Sequence, residues 1–149
     1  MRAIVQRVSR STVAADGQAL GGIGIGLCVF VGIGKDDGES DIDWLVAKIS
    51  GLRVFKDVDG KMNLNIRQVG GSLLVVSQFT LYGDCRKGMR PSYDAAMPAD
   101  RARFLYDMFV ERCSKIGAPV VSGIFQANMA VGIENDGPVT LLLDSKKAF

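Results

Sequence analysis

Only two stretches of this chain carry helical periodicity, and the strand-like segments around them do not alternate with them. The first runs from Glu39 to about Gly51, where Ile42, Leu45, Val46 and Ile49 fall on one apolar face. Ser40, with Asp43 three residues on, reads as its N-terminal cap. Asp36, Asp37, Glu39, Asp41 and Asp43 crowd the end of the helix where its dipole favours anions. The second runs from about Ala99 to Ile116, with Leu105, Met108, Phe109, Arg112 and Ile116 at helical spacing. Gly117 and Pro119 stop it.

The remaining apolar segments read as strands. "RAIVQRVSRSTVAADGQALGGIG" predicts two strands around a turn, with Ile4, Val8 and Val13 among the inward positions. "GLCVFVGIG", Gly26 to Gly34, is a continuous apolar run bounded by glycines and predicts a central strand. "LRVFKDVDGKMNL" enters a hairpin turn at Asp59-Gly60. "GSLLVVSQFTL" is an apolar strand with a polar end, and Val120 to Ile124, Met129 to Ile133 and Val139 to Leu143 close the chain as strands. Such an order predicts an α+β fold rather than a doubly wound sheet. With no linker, repeat or low-complexity segment, residues 1–149 are expected to form one domain with a real core.

Composition narrows the chemistry. Apolar residues make up 48% and charged residues 23%, which is globular composition. No apolar run reaches the roughly 18 residues of a membrane span, so no membrane partner is expected. The opening "RAIVQRVS" lacks a signal-type apolar core, which points to a cytoplasmic protein. Cys28, Cys85 and Cys113 fit neither a disulfide framework nor a metal site. A net charge of +2 is mild, and admits a nucleic acid only if basic residues cluster. There are no histidines. That removes Ser-His and Cys-His activation, imidazole general base chemistry and most catalytic zinc sites.

Several familiar motifs fail. "GGIGIGLCVFVGIG" has no register that satisfies GxGxxG, and neither Gly34-Lys35 nor Gly60-Lys61 completes a phosphate loop. Asp57, Asp59 and Asn63 lack the spacing and closing glutamate of a calcium loop. Cys85 lies near Arg86, Lys87 and Arg90, which favour a thiolate, yet it has no base to work with. No cofactor or metal is expected. Two stretches remain. "VVSQFTLYGD" ends an apolar strand in Ser77, Gln78, Phe79 and Thr80, either a polar strand tip or a place where a sheet presents groups to a ligand. "NDGPVT", Asn135 to Thr140, is either a hairpin turn or a rigid device, since Pro138 stands at a strand's mouth where it removes a ladder donor.

Together, "SQFTL" and "NDGPVT" resemble the D-aminoacyl-tRNA deacylases. The resemblance runs nearly end to end, through "MRAIVQRVSRSTV", "VGIGKDD", "KMNL", "GGSLLVVSQFTLYGDCRKGMRPS" and "NDGPVTLLLDS". It implies hydrolysis of the ester between a D-amino acid and the terminal ribose of tRNA, with glycine as a related substrate. It also implies a compact β-barrel-like body with two main helices packed outside, working as a homodimer. In the family the Gly-Pro peptide is cis and reaches into the partner's pocket. Gly137 and Pro138 of one chain would then face Ser77, Gln78, Phe79 and Thr80 of the other. Phe125 and Met129 align with positions that line the adenosine pocket, and equally suit a plain core. Arg7 would anchor the Gly-Pro segment. Arg86, Lys87 and Arg90 suit phosphates, or form a solvated basic loop.

The resemblance gives the missing histidines a meaning. An aminoacyl ester is already activated and carries a neighbouring 2′-hydroxyl, so positioning and oxyanion stabilisation suffice. Thr80 is then expected to position substrate, with the amides around Gln78 to Thr80 as donors. Apolar fit differences are worth only about 1–3 kcal/mol, so strong rejection of L-residues needs a rigid obstacle. A Gly-Pro segment supplies one, and D-side chains would point away from it. Ile124, Asn128 and Gly132 depart from the residues expected there, which are Arg, Asp and Ser. The alternative is a non-catalytic module that holds a tRNA end without turnover.

Overall fold

The computed structural model describes residues 1–148. β1 (Arg2–Ala15) turns at Asp16-Gly17 into β2 (Gln18–Ile23), and both turn residues take positive φ. β2 and β3 (Gly26–Gly32) follow one another antiparallel to β1, separated by Gly24-Ile25. After α1 (Glu39–Gly51), the short pair β4 (Phe55–Lys56) and β5 (Met62–Leu64) forms a separate hairpin around Gly60. β6 (Ser72–Ser77) then runs parallel to β3 and leads into a 3-10 turn, Phe79–Tyr82. α2 (Ala99–Ser114) precedes β7 (Val120–Ser122), which lies parallel to β6. β8 (Met129–Asp144) runs antiparallel along β1. β2 returns towards β7, so that a Cβ on Gly21 would sit 3.0 Å from Val121 Cγ1. The sheet is thus mixed and nearly closed into a barrel, with the two helices outside, as the α+β expectation and the family resemblance required. No helix among the described residues is long and apolar enough to cross a membrane.

Two apolar clusters account for the unbroken apolar runs of β3 and β6, which are buried on both faces. Cys28, Leu74 and Val76 meet Val8, Val13 and Ile23 in a cluster made by strands alone, the inside of the barrel. Leu27, Val29, Val31, Leu73 and Val75 face the other way and meet Ile42, Leu45, Ile49, Leu105 and Phe109 of the helices. Ile4, expected inward with Val8 and Val13, is only half-buried; Ala3 and Val5 hold the core positions of that stretch. The pairing of β1 with β8 slips around Gln6 to Arg10, so one alternation cannot be carried along the whole strand.

The helices have the expected bounds, with local differences. α1 is not capped by Ser40 and Asp43. Gly38 is its N-cap, and the Asp41 carboxylate accepts the Gly38 N–H at 2.9 Å. Asp43 and Glu39 instead pair with Arg112 and so tie the two helices together. α2 ends at Ser114, and its buried face is Ala102, Leu105, Tyr106, Phe109 and Cys113, with Arg112 at the rim and Ile116 beyond the end. Two carboxylates of the acidic run, Asp37 and Asp41, are satisfied within the chain. Asp37 accepts the Met1 ammonium at 2.6 Å, and Asp41 accepts Ser145 Oγ at 2.7 Å and Lys146 Nζ at 2.9 Å.

The largest difference lies at "NDGPVT". Met129 to Ile133 and Val139 to Leu143 are not two strands around a hairpin turn. β8 runs through unbroken, with Asn135 opposite Val8 and Thr140 opposite Gln6. Asp136 to Val139 therefore oppose Arg7 alone, as a wide bulge in one long strand.

Candidate functional site

Where β3 and β6 end, a cavity of about 680 Å³ opens between the barrel and α2. The end of β6 and the residues just after it deliver Ser77, Gln78 and Phe79 to it; the segment before β8 delivers Phe125, and β8 delivers Met129 as its first residue. Ala99 and Ala102 of α2 leave the space open opposite. Tyr93 is the only ionisable side chain among the lining residues. Among the described residues no carboxylate, lysine or thiol lines this space, so it offers shape and dipoles rather than a charged acid–base pair.

The polar end of "SQFTL" is not a continued strand. Gln78 N–H donates to Val31 O at 2.8 Å, which is its last tie to β3, and the chain then tightens into the 3-10 turn. The Leu81 and Gly83 amides close that turn on Gln78 O and Thr80 O. The first two N–H groups of the turn, those of Phe79 and Thr80, have no acceptor among the described residues, as the start of such a turn requires. The Gln78 amide expected as a donor is thus committed to the sheet. Thr80 itself lies outside the cavity lining, and its hydroxyl accepts from Gln78 Nε2. Phe79 is more than half exposed and meets Tyr93 edge-on at 5.0 Å. Tyr106 of α2 donates to Val75 O at 3.1 Å and lies 5.6 Å from the Phe125 ring. Burial pushes the Tyr106 phenol pKa up, which keeps it a donor.

Sequence reasoning missed Tyr93, Met97 and Gln126 as lining residues. Gln126 carried a local signal only in its backbone, a φ of +63° that non-glycine residues rarely adopt. Asn128, one of the expected departures, lies in the lining, whereas Ile124 is 49% exposed and lies outside it. Cys85 is exposed and also outside the lining. The neighbouring basic stretch is partly neutralised. Arg86 donates to both carboxylate oxygens of Asp84, and these bonds hold the Asp84 carboxyl at about 2. Lys87 and Arg90 remain exposed.

Arg7, Gly137 and Pro138 do not line the cavity of their own chain. They form a second feature, the bulge of β8. The Gly137-Pro138 peptide is cis, and both residues are exposed. The Arg7 side chain is buried beneath them, donating from Nε to Asp136 O at 3.2 Å and from Nη1 to Val54 O. Asn135 spans the mouth of the bulge, donating from Nδ2 to Arg7 O at 2.9 Å and to Val139 O at 3.0 Å. Gly137 has φ +114°, and a Cβ there would run into the Arg7 guanidinium. The residue type at this position is dictated by what lies below it.

A family model described as D-Tyr-tRNA(Tyr) deacylase matches residues 4–144. The chain belongs to that family. A D-aminoacyl-tRNA deacylase of Thermotoga petrophila is 56% identical over 149 residues, the whole of both chains. One of Syntrophobacter fumaroxidans is likewise 56% identical over the full length. Among solved structures, one titled "c-Myc DNA Unwinding Element Binding Protein" superposes with a TM-score of 0.91 at 39% identity, covering 97% of this chain and 98% of that one. Another, titled as a probable eukaryotic D-amino acid tRNA deacylase, has a TM-score of 0.81 at 17% identity, covering 95% and 97%, and shows the common fold. The third departure of this deacylase-family chain, Gly132, has a local reason. A Cβ there would lie 2.7 Å from Thr12 Oγ1 across the β1–β8 pair, while Ser11 Oγ donates to the Gly132 carbonyl at 2.7 Å.

Proposed function

We propose that the chain is a deacylase that hydrolyses the ester joining a D-amino acid to the terminal ribose of tRNA, and so proofreads chirality in translation. The observation that carries this reading is a roomy cavity with no charged acid or base, beside the unpartnered amides of Phe79 and Thr80. An aminoacyl ester needs little more. The two N–H groups stabilise the oxyanion, the neighbouring 2′-hydroxyl of the ribose assists the attacking water, and fixed geometry supplies proximity. Ser77 and Gln78 shape the approach, and Thr80 positions rather than attacks. Phe125 and Met129 offer flat apolar surface to the terminal adenine.

Chiral selection falls to the bulge. In a homodimer, Gly137-Pro138 of one chain inserts across from Ser77, Gln78, Phe79 and Thr80 of its partner. Exposure of the Gly-Pro segment in the single chain and its rigid support by Arg7 favour this arrangement. An L-side chain meets the wall, while a D-side chain points away. Glycine, which carries only hydrogens at Cα, also passes, so glycyl-tRNA is a second substrate.

The alternative is a module that holds a tRNA end without turnover, favoured by the same absence of ionisable groups. Deacylation of matched D- and L-aminoacyl-tRNA by the purified protein separates the two. Release of the D-residue alone is expected. No release from either substrate refutes the enzyme, and equal release refutes the chirality wall. Solution mass decides the homodimer, for which a monomer would be the contrary result.

A further inference from the structure

We infer that Tyr82 is a positioning residue for hydrolysis, fixing from behind the 3-10 turn that carries the Phe79 and Thr80 amides. The inference rests on the reading of those amides as the oxyanion donors.

Burial does not hold the turn. None of its residues is buried, and Phe79 at its head is 58% exposed. Its tail is fastened at several points. Tyr82 OH donates to Asp37 Oδ2 at 3.0 Å, and the Arg2 guanidinium lies 4.5 Å above the Tyr82 ring. Arg2 Nη1 also donates to Leu81 O at 3.1 Å, so one side chain holds both last residues of the turn. Asp37 is itself immobilised, because its Oδ1 accepts the Met1 ammonium at 2.6 Å and its Oδ2 accepts the Gly34 N–H at 2.6 Å. Its side chain is 2% exposed. Tyr82 therefore docks on a fixed acceptor rather than on a solvated carboxylate.

The strand opposite has been cleared for this docking. A Cβ on Gly34 would lie 2.7–2.8 Å from Oη, Cε1 and Cζ of Tyr82. One on Gly32 would lie 2.8 Å from Gln78 O and 3.0 Å from Leu81 Cβ. The two glycines let the turn sit directly on the end of β3, next to the Val31 carbonyl that takes the Gln78 amide. Burial, together with the nearby Asp37 charge, raises the Tyr82 pKa and keeps the phenol a donor. The cavity lies at the head of the turn and Tyr82 at its tail, outside the lining, so Tyr82 acts through the backbone alone.

Tyr82→Phe keeps the ring over Gly34 and removes only the O–H. The test measures steady-state deacylation of D-aminoacyl-tRNA below the melting transition, with amide hydrogen exchange at Leu81 and Gly83, whose N–H groups close the turn. The expected result is a kcat lower by roughly 10-fold, since misplacement of about 1 Å can cost 10²-fold, with KM changed less than about twofold. Exchange at both amides should quicken. A merely structural role would lower the melting temperature and leave kcat of the folded enzyme alone. Unchanged exchange overturns the clamp while leaving the amide reading standing. Faster exchange with unchanged kcat overturns the positioning role and counts against the amides as the donors. Tyr82→Leu, which also removes the ring, should lose at least as much kcat; a Leu variant more active than Phe would overturn the assignment.

Discussion

Gly137→Ala is the most informative single change, because two independent constraints meet there. Its φ of +114° lies where an L-residue is strained, at a cost of about 1–3 kcal/mol. The added Cβ would lie below the 3.0 Å that real Cβ atoms keep from Arg7 Nη2, and 3.1 Å from Val139 Cγ2. Arg7 cannot swing aside freely. Its side chain is 4% exposed and is held by Val54 O, Asp136 O and the Asp136 carboxylate at 3.0 Å from Nε. Moving it gives up at least one hydrogen bond from a buried charge, about 1.5–3 kcal/mol. If both penalties fall on the native state, the loss is about 2.5–6 kcal/mol. At roughly 2–4 °C per kcal/mol for a chain of this size, the melting temperature drops by about 5–24 °C.

The chain has one escape, which the assay detects. The bulge can lift off Arg7, sparing part of the stability and displacing the proposed chirality wall. Discrimination then falls, and L-aminoacyl-tRNA becomes a substrate. Thermal melting and the ratio of D to L deacylation must therefore be measured on the same preparation, and at least one must move. A variant that melts within about 2 °C of the parent and keeps its selectivity would refute both the packing and the role assigned to the bulge.

Three further outcomes follow from the same geometry. Asn135→Ala leaves the Arg7 and Val139 carbonyls without their donor, so urea unfolding should show a loss of about 1–3 kcal/mol, and L-rejection should weaken with it. Thr80→Ala and Cys85→Ala should both keep most deacylase activity, because neither side chain lines the cavity; complete loss in Thr80→Ala with tRNA binding intact would overturn the backbone-centred mechanism. For Asp41, burial alone would raise the pKa, but hydrogen bonds from Lys146, Ser145 and Gly38 outweigh it and hold the carboxyl at about 2, against 3.8. A depressed folded pKa contributes stability above about pH 4 that is lost as pH falls towards about 2. Unfolding free energy should decline across that window, and Asp41→Asn should flatten the decline.

Parts of this fold were legible because local signals agreed with one another. α1 reads cleanly, since Ile42, Leu45 and Ile49 share a face and Gly51 ends it. β3 reads as central because its apolar run leaves no polar face. Where the reading slipped, a distant partner decided. Ser40 is a good cap by type, yet Gly38 caps α1 because the carboxylate of Asp41 turns back to it while also holding Ser145 and Lys146 from the other end of the chain. Asn-Asp-Gly-Pro carries the same turn chemistry whether the chain reverses or bulges. The choice was made by β1, which pairs with β8 on both sides of the excursion. The candidate site divides in the same way. Ser77, Gln78 and Phe79 were legible as a polar strand end, whereas Tyr93 and Asn128 reach the cavity only through tertiary folding.

Both irregular pieces of backbone in the candidate site are held from behind by buried charge. Arg7 lies under the bulge, and Asp37 lies behind the 3-10 turn. Neither Arg7 nor Asp37 would be chosen for stability alone, because desolvating a charge costs more than packing an apolar side chain of the same size. What a charge offers is directional hold on main-chain groups that have no ladder partner. Arg7 grips the carbonyls of Asp136 and Val54, and Asp37 grips the Gly34 amide and the Tyr82 hydroxyl. An apolar residue of equal volume would fill the space and leave those groups free to rotate. A site that works through fixed backbone needs such anchors, and a sequence scan that treats each lone charge as surface overlooks them.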